Sequence, residues 1–210
     1  MKILLVDDHA LFRAGLRLLL RTMRPNAEIL EAATLEESFA LCQSHPDLQV
    51  CLLDLALRTE NGLGALTGLK ERAPEMIVVV VSGAEDIGTI RKCIEGGAMS
   101  YIPKSLPPEV LTEALNNVLR GQLYLPEQVL ELDRRAPAPT LTPRQLEVLR
   151  YLSRGWPTKA ICREMDLSEH TVKEHITSIF QALGVHNRTE AVIKAASLAI
   201  PSLSFGAGSA

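Results

Sequence analysis

A run of five consecutive β-branched residues at positions 77–81 is the feature that most restricts how this chain folds. Residues of this kind favour strands, and a strand without polar alternation has to be buried on both faces. Four other short apolar runs predict strands, and each strand is followed by a segment with the pattern of a helix. These four runs are Lys2–Val6, Glu28–Ala32, Val50–Asp54 and Met99–Ile102. Five strands that alternate with five helices predict an α/β domain with a parallel sheet covered on both faces.

Polar side chains stand at the carboxyl ends of four of these predicted strands. They are Asp7 and Asp8 after the first strand, Asp54 at the end of the third, Ser82 after the fourth and Lys104 after the fifth. Ligands of such sheets bind beyond the carboxyl ends of the strands, and a strand order of 2-1-3-4-5 brings these residues together. Each residue alone also fits a helix cap, a loop acid or a solvated lysine, but as a set they suit phosphoryl chemistry. Three carboxylates need a cation, and oxygen ligands favour a hard ion such as Mg²⁺.

The charge of the chain changes after residue 122. Residues 1–122 hold 12 Lys and Arg against 16 Asp and Glu, whereas residues 141–210 hold 8 against 6. An acidic front part and a mildly basic back part suggest two domains with different partners, although a charge of this size does not establish nucleic-acid binding. Between them, residues 123–140 combine a short predicted helix from Pro126 with a proline-containing linker, and the small residues of 201–210 predict a disordered tail.

The segment 141–200 has an entirely helical pattern. Thr142 opens a capping box with proline at the first helical position, and a second short helix is predicted over residues 158–165. Ser168 caps a third, longer helix, and Arg188 begins a fourth. Two helices joined by a tight turn, the second longer and well capped, fit a helix-turn-helix. An ordinary solvated face explains the polar outer residues of the third helix equally well, so this pattern alone leaves the function open.

The apolar segments and the cysteines favour a cytoplasmic protein. No apolar run is long enough to span a bilayer, and the first one meets Asp7 and Asp8 too early for a signal peptide. The four cysteines form no C-x-x-C pair, which disfavours a zinc or redox site. We therefore expect reduced thiols in a cytosolic environment.

Residues 1–122 resemble the receiver domain of two-component signalling, which has the flavodoxin-like fold. The resemblance rests on Val6-Asp7-Asp8-His9, on Asp54 with Gly62 at the usual distance, on Ser82-Gly83-Ala84, and on Tyr101 three residues before Lys104. It implies that Asp54 is the phosphoacceptor, which takes a phosphoryl group from the phosphohistidine of a sensor histidine kinase.

The same resemblance implies roles for the other residues of the site. Asp8, Asp54 and the backbone carbonyl of Ala56 would bind Mg²⁺, and Asp7 would act directly or through water. Lys104 would neutralise phosphoryl oxygens and Ser82 would donate a hydrogen bond to one of them. Movement of Ser82 would let Tyr101 turn inward and reshape the surface of the last helix and strands. One departure is Leu57-Arg58, which stands where many relatives have Met-Pro and predicts a more mobile loop beside Asp54.

Three blocks of the back part resemble the LuxR-type DNA-binding domain. They are residues 141–149, LTPRQLEVL, residues 168–175, SEHTVKEH, and residues 184–191, GVHNRTEA. The order and spacing of three separate blocks make this resemblance specific. The second helix departs from the usual Ser-Asn-Lys-Glu start, since Pro157 cannot supply a capping oxygen, and Thr158 is expected to cap a helix that begins one residue late.

The resemblance also implies which residues contact DNA. Lys173, Glu174 and Thr177 would face base edges in the major groove, because lysine donates to guanine, glutamate accepts from cytosine and threonine contacts the thymine methyl. The remaining expected contacts, mostly to phosphates, are Thr142, Thr158, Lys159, Ser168, Thr171, His175 and Arg188.

The whole chain except its tail resembles the NarL/FixJ class of response regulators. This predicts a phosphorylation-controlled transcription factor rather than an enzyme, with Mg²⁺ as cofactor. Its expected partners are double-stranded DNA, a sensor histidine kinase, a second copy of the chain in the active state and, as a further candidate, RNA polymerase. An aspartyl hydrolase on a similar sheet is disfavoured because Ala56 stands where such enzymes have a second Asp. A phosphorylation-independent regulator, with the receiver as a dimerisation module, stays open.

Overall fold

The structure is a computed structural model that describes residues 1–57, 62–126 and 141–197. The chain divides into two compact units, residues 1–116 and 117–210. Most of the predicted linker helix, the rest of the linker and the predicted disordered tail lie outside the described residues, as does the predicted mobile segment after Leu57. The boundaries at residues 122, 140 and 200 therefore stay predictions.

Five parallel strands form one sheet in the order β2-β1-β3-β4-β5, which confirms the predicted topology. The strands are β1 (Lys2–Val6), β2 (Glu28–Ala32), β3 (Val50–Leu53), β4 (Ile77–Ser82) and β5 (Ser100–Pro103). The interiors of β1, β3 and β4 are fully buried, as continuous apolar runs require. In the register, Val6 pairs with Leu53, Leu53 with Val80, and Ser82 with Pro103, so these strands end at one edge of the sheet.

Five helices accompany the sheet, and local caps explain where two of them start. They are α1 (Ala10–Met23), α2 (Leu35–Ser44), α3 (Gly62–Arg72), α4 (Ile87–Glu95) and α5 (Pro108–Leu119). Thr34 accepts a hydrogen bond from the backbone of Glu37 at the start of α2, and Asp86 accepts one from Thr89 at the start of α4. Because Asp86 is the cap, the first helical residue of α4 is Ile87.

The second unit contains four helices among its described residues. They are α6 (Pro143–Ser153), α7 (Thr158–Met165), α8 (Glu169–Leu183) and α9 (Arg188–Ser197). Thr142 and Gln145 form the predicted capping box at the start of α6, and Ser168 caps α8 through the backbone of Thr171. The unit is held by one apolar core that all four helices share, whose fully buried members include Leu149, Ile161, Val172, Ile179 and Ala191.

The start of α7 differs from the prediction. Thr158 does not cap this helix; it is the first helical residue, and Pro157 occupies the N-cap position without a side-chain hydrogen bond. Proline suits this place because its φ of −65° and ψ of 151° are extended while its carbonyl accepts from the backbone of Ala160 and Ile161. The tight turn after α7 places Asp166 in the left-handed region, with φ 53°, which lets the chain reverse into α8.

Along the stretches that the structure describes, we find no helix with both the length and the apolar character needed to cross a bilayer.

Candidate functional site

Three carboxylates meet at the edge of the sheet where β1 and β3 end. Asp7 and Asp54 are 3% and 1% exposed, and the side chain of Asp8 beside them is 11% exposed. One carboxylate oxygen from each of these residues and a ring nitrogen of His9 all lie within 4.8 Å of one another. Three negative charges at this distance repel one another, and a cation among them removes that repulsion. The hard oxygen donors are the kind of ligand that Mg²⁺ prefers.

Lys104 bridges two of these acids. Its Nζ donates to Asp7 Oδ2 over 2.8 Å and to Asp54 Oδ2 over 2.6 Å. The backbone N–H of Lys104 donates to the carbonyl of Ser82 over 2.8 Å, which ties the end of β5 to the end of β4. The predicted convergence of these residues at one edge is therefore present in the structure, with an ammonium group directly on the carboxylate expected to react.

The Asp54 carboxylate is held in one orientation. The backbone N–H of Ala56 donates to Asp54 Oδ1 over 3.1 Å, while Lys104 holds Oδ2. The backbone N–H of Asp54 donates to Val6 over 2.8 Å, so the residue continues the ladder of β3 although the strand itself ends at Leu53. This contact is made by the N–H of Ala56, so the expected part of its carbonyl in metal binding stays a prediction.

Gly62 approaches the chain just after Asp54 so closely that no other residue fits there. A Cβ added to Gly62 would lie 2.4 Å from the carbonyl oxygen of Leu55 and 2.6 Å from its Cα. This contact explains the spacing between Asp54 and Gly62, because the start of α3 packs directly on the backbone that follows the acid.

Ser82 and Tyr101 both contact the segment after β4. Ser82 is 1% exposed, and its Oγ accepts a 3.3 Å hydrogen bond from the backbone N–H of Ala84. The ring of Tyr101 is fully buried, and its hydroxyl donates to the carbonyl of Ala84 over 2.6 Å. Burial raises the pKa of Tyr101 to about 12, so the hydroxyl stays protonated and able to donate at neutral pH. The ring was expected to turn inward only after Ser82 moves, whereas it already lies inside in this structure.

Two residues of the pocket escape the sequence analysis as site residues. His9 Nδ1 lies 2.9 Å from Asp8 Oδ1, and the Phe12 ring centroid lies 4.4 Å from Lys104 Nζ. His9 is the N-cap of α1 and Phe12 lies in its first turn. Side chains at the start of a helix point back toward the preceding strand end, and this direction is the signal that could have identified them.

The outer face of α8 carries the residues predicted to read bases. Lys173, Glu174 and Thr177 are exposed, and one ion pair and one histidine–carboxylate contact run along this face. Lys173 Nζ lies 2.8 Å from Glu169 Oε1, and His170 Nε2 lies 3.4 Å from Glu174 Oε1. Hydrogen-bond donors and acceptors therefore alternate along one exposed helix face, and base edges are recognised through groups of both kinds.

The residues expected at phosphates differ in exposure. Thr142, Lys159 and Ser168 are exposed, whereas Thr158, Thr171 and His175 are half-buried. The hydroxyls of Ser168 and Thr171 lie 2.8 Å apart at the start of α8, in the cap of that helix. A capped helix start of this kind presents backbone N–H groups and hydroxyls in one place, which suits an anionic oxygen.

Arg188 does not fit the prediction that it holds a phosphate. Its Nη1 donates to the carbonyl of Trp156 over 2.8 Å and its Nη2 donates to the carbonyl of Leu152 over 2.7 Å. Burial of the guanidinium lowers the pKa of Arg188 to about 10, so it stays charged at neutral pH. The partly buried side chain therefore satisfies carbonyls at and just after the carboxyl end of α6, a role that the sequence block Asn187-Arg188-Thr189 does not reveal.

Two family models match the chain. The response regulator receiver domain matches residues 3–116, and the luxR family of bacterial regulatory proteins matches residues 139–195. The first match covers the unit with the acidic pocket, and the second covers the four helices of the second unit except the last two residues of α9.

Curated proteins and a solved structure resemble the chain over most of their lengths. The glycerol metabolism activator of Pseudomonas putida is 35% identical over 208 residues, covering 92% of this chain and 94% of that protein. The nitrate/nitrite response regulator protein NarL of Escherichia coli strain K12 is 34% identical over 203 residues, covering 91% and 93%. A LuxR family DNA-binding response regulator from Silicibacter pomeroyi is 33% identical with a TM-score of 0.53, covering 61% of this chain and 98% of that one.

Proposed function

The chain belongs to the LuxR-type DNA-binding response regulators, and from this premise we propose that phosphorylation of Asp54 controls how it binds DNA. The observation that carries the proposal is the pair of contacts from Lys104 Nζ to Asp54 and Asp7. A buried carboxylate that is held at both oxygens and paired with an ammonium group is prepared to receive a phosphoryl group.

The reaction requires Asp54 to act as the nucleophile. Its carboxylate oxygen attacks the phosphorus of a phosphohistidine, the P–N bond breaks, and the electron pair stays on the imidazole nitrogen of the kinase. Asp8, Asp54 and the carbonyl of Ala56 would hold Mg²⁺, with Asp7 directly or through water. The ion would supply positive charge to the phosphoryl oxygens. Lys104 exchanges its contact with Asp54 Oδ2 for one with a phosphoryl oxygen.

Ser82 then couples phosphorylation to a change outside the pocket. Its hydroxyl gives up the hydrogen bond from Ala84 and donates to a phosphoryl oxygen, which shifts the segment that also accepts from Tyr101. The state of this segment changes the surface around β5 and α5. Because Tyr101 is already inside, the pocket transmits its state through the Ala84 carbonyl rather than through a full rotation of the ring.

The partners follow from these two units. We expect a sensor histidine kinase at the acidic pocket and double-stranded DNA on α8, with a second copy of the chain in the active state and RNA polymerase as a further partner.

A cytoplasmic location agrees with the cysteines, which are free, and burial raises the pKa of Cys93 to about 12. A thiol of this kind stays protonated and unreactive.

One experiment tests the proposal. The full chain is used to select binding sites from random duplex DNA, and the affinity for the selected site is then measured with and without Mg²⁺ and a small phosphodonor. We expect the phosphodonor to raise the affinity for the selected site. An affinity that does not respond to phosphorylation would instead support the regulator whose receiver serves only for dimerisation.

A substitution at Phe12 tests whether its ring positions Lys104. The Phe12→Leu variant keeps an apolar side chain but removes the ring face, whereas Phe12→Tyr keeps it. A cation–π contact is worth about 0.5–1 kcal/mol at a partly exposed site, so we expect Phe12→Leu to slow phosphorylation about two- to fivefold. Initial rates with a small phosphodonor measure this change. Equal rates for Phe12→Leu and the parent, or a Phe12→Tyr variant as slow as Phe12→Leu, would contradict it.

Two lysines separate base reading from phosphate binding. We expect Lys173→Ala to cost about 1–3 kcal/mol on the selected site and to relax the preference at one base position. Lys159→Ala should instead weaken binding to all sequences alike and lower the salt slope by about one ion. Binding isotherms on selected and scrambled duplexes at several salt concentrations measure both effects. If Lys173→Ala loses affinity equally on both duplexes, Lys173 is a phosphate contact.

A further inference from the structure

The imidazole of His9 faces the three carboxylates of the acidic pocket. Its Nδ1 lies 2.9 Å from Asp8 Oδ1, 3.4 Å from Asp7 Oδ1 and 3.6 Å from Asp54 Oδ2. The backbone N–H of His9 also donates to Asp7 Oδ1 over 2.7 Å, which holds this residue against the pocket. One nitrogen atom therefore approaches one oxygen of every carboxylate in the cluster.

These separations match the spacing of ligands around one small cation. Adjacent ligands of an octahedral ion with bonds of about 2.1 Å are about 3.0 Å apart. The nitrogen and the three oxygens lie within 4.8 Å of one another, so an ion among them needs only small shifts of the side chains. The side chain of His9 is 54% exposed, which allows its ring to turn toward an ion without disturbing the core.

We propose that His9 is a nitrogen ligand of the cation in this pocket, and that the pocket therefore binds divalent transition ions such as Co²⁺ or Mn²⁺ more tightly than Mg²⁺. This inference rests on the proposed function, because the pocket is the one that serves phosphorylation of Asp54. Mg²⁺ takes oxygen ligands almost exclusively, whereas first-row transition ions also accept imidazole nitrogen. Three carboxylates alone would discriminate less between these ions, because only an imidazole nitrogen favours the transition ion by its ligand type.

The charges of the pocket agree with this assignment. Three carboxylates and the ammonium group of Lys104 leave a net charge of −2, which a divalent ion cancels when the imidazole is neutral. Neutral imidazole is the form of histidine that ligates metals. His9 thus adds a ligand without adding a charge, and the ion replaces the repulsion among the acids by direct bonds.

Calorimetric titrations of the full chain with Mg²⁺ alone and with Co²⁺ alone test the proposal. We expect the His9→Gln variant to lose at least about tenfold in affinity for Co²⁺, while its affinity for Mg²⁺ stays within about twofold. The visible absorption of bound Co²⁺ should also change, because one nitrogen ligand is lost. The matched control is His45→Gln, since His45 is the C-cap of α2 at the opposite edge of the sheet and contacts Leu41 and Ser44.

Each outcome decides the question. Equal losses for both ions, or an unchanged affinity for Co²⁺, would overturn the proposal, and so would a loss of the same size in His45→Gln. The Asp54→Asn variant shows whether the ion binds in the pocket, because this substitution should lower the affinity for both ions. If the chain binds Mg²⁺ and the His9→Gln substitution leaves the affinity for Co²⁺ unchanged, only this inference is contradicted. If the chain binds neither ion, the proposed function is contradicted.

Discussion

Incubation of the chain with Mg²⁺ and a small phosphodonor is expected to add one phosphoryl group, and the Asp54→Asn variant is expected to gain none. Asparagine keeps the shape of the side chain, and its carbonyl oxygen still accepts from the backbone of Ala56. It has no carboxylate oxygen to attack phosphorus, so the reaction stops rather than slows. Intact-mass spectrometry measures the added group, and the affinity of the variant for the selected DNA should no longer depend on the phosphodonor.

The control for this prediction is the same chemical change at the same edge of the sheet. Asp86 caps α4 by accepting from the backbone of Thr89, and asparagine caps helices about as well as aspartate. The Asp86→Asn variant should therefore stay folded and still gain one phosphoryl group. A phosphoryl group on Asp54→Asn, or its loss from Asp86→Asn alone, would show that Asp54 is not the phosphoacceptor.

The Arg188→Ala variant is expected to destabilise the second unit by about 2 kcal/mol. Hydrogen bonds to a charged group contribute about 1.5–3 kcal/mol each, and the cost of burying the guanidinium offsets part of this gain. A domain of 60–100 residues loses about 4–8 °C in Tm for each kcal/mol, so the expected shift is about 8–16 °C. Trp156 is the one tryptophan of the chain, and its carbonyl accepts from Arg188. Its fluorescence therefore follows the unfolding of this unit alone.

An exposed arginine of the same unit provides the matched comparison. Arg144 pairs with Glu147 on the surface of α6, and its side chain is 58% exposed. Its replacement by alanine should change stability by less than about 0.5 kcal/mol.

DNA binding by the Arg188→Ala variant is the second measurement. At a temperature where this variant is folded, the salt slope of its DNA binding should equal that of the parent. A slope lower by one ion, with an unchanged Tm, would restore Arg188 as a phosphate contact.

The sequence predicts the architecture well because apolar periodicity carries it. The β-branched run in β4 and the alternation of strands and helices determine the sheet, and the strand ends then place Asp7, Asp54 and Lys104 at one edge. The capping box at Thr142 is equally local, since four consecutive residues contain all of its hydrogen bonds.

The remaining features depend on where side chains point in three dimensions. In the sequence His9 is only one member of a motif and Phe12 has no assigned role, and only the geometry shows their contacts with Asp8 and Lys104. Arg188 resembles a surface cation by composition, yet its partners are carbonyls 32 and 36 residues earlier in the chain. Such long-range hydrogen bonds leave no periodic trace in the sequence, so burial of this guanidinium could not be predicted.

The span of chain that separates Lys104 from its two acids also orders events during synthesis. Its partners lie 97 and 50 residues earlier, so the nucleophile emerges from the ribosome well before the ammonium group that completes its surroundings. At typical translation rates this interval lasts about 3–10 s. Parallel strands of this kind pair only after long loops have closed, so β5 cannot pair with β4 until the intervening helix has been made. In a nascent chain Asp54 is therefore present before Lys104 can contact it, and the phosphorylation site is complete only when β5 has docked on the sheet.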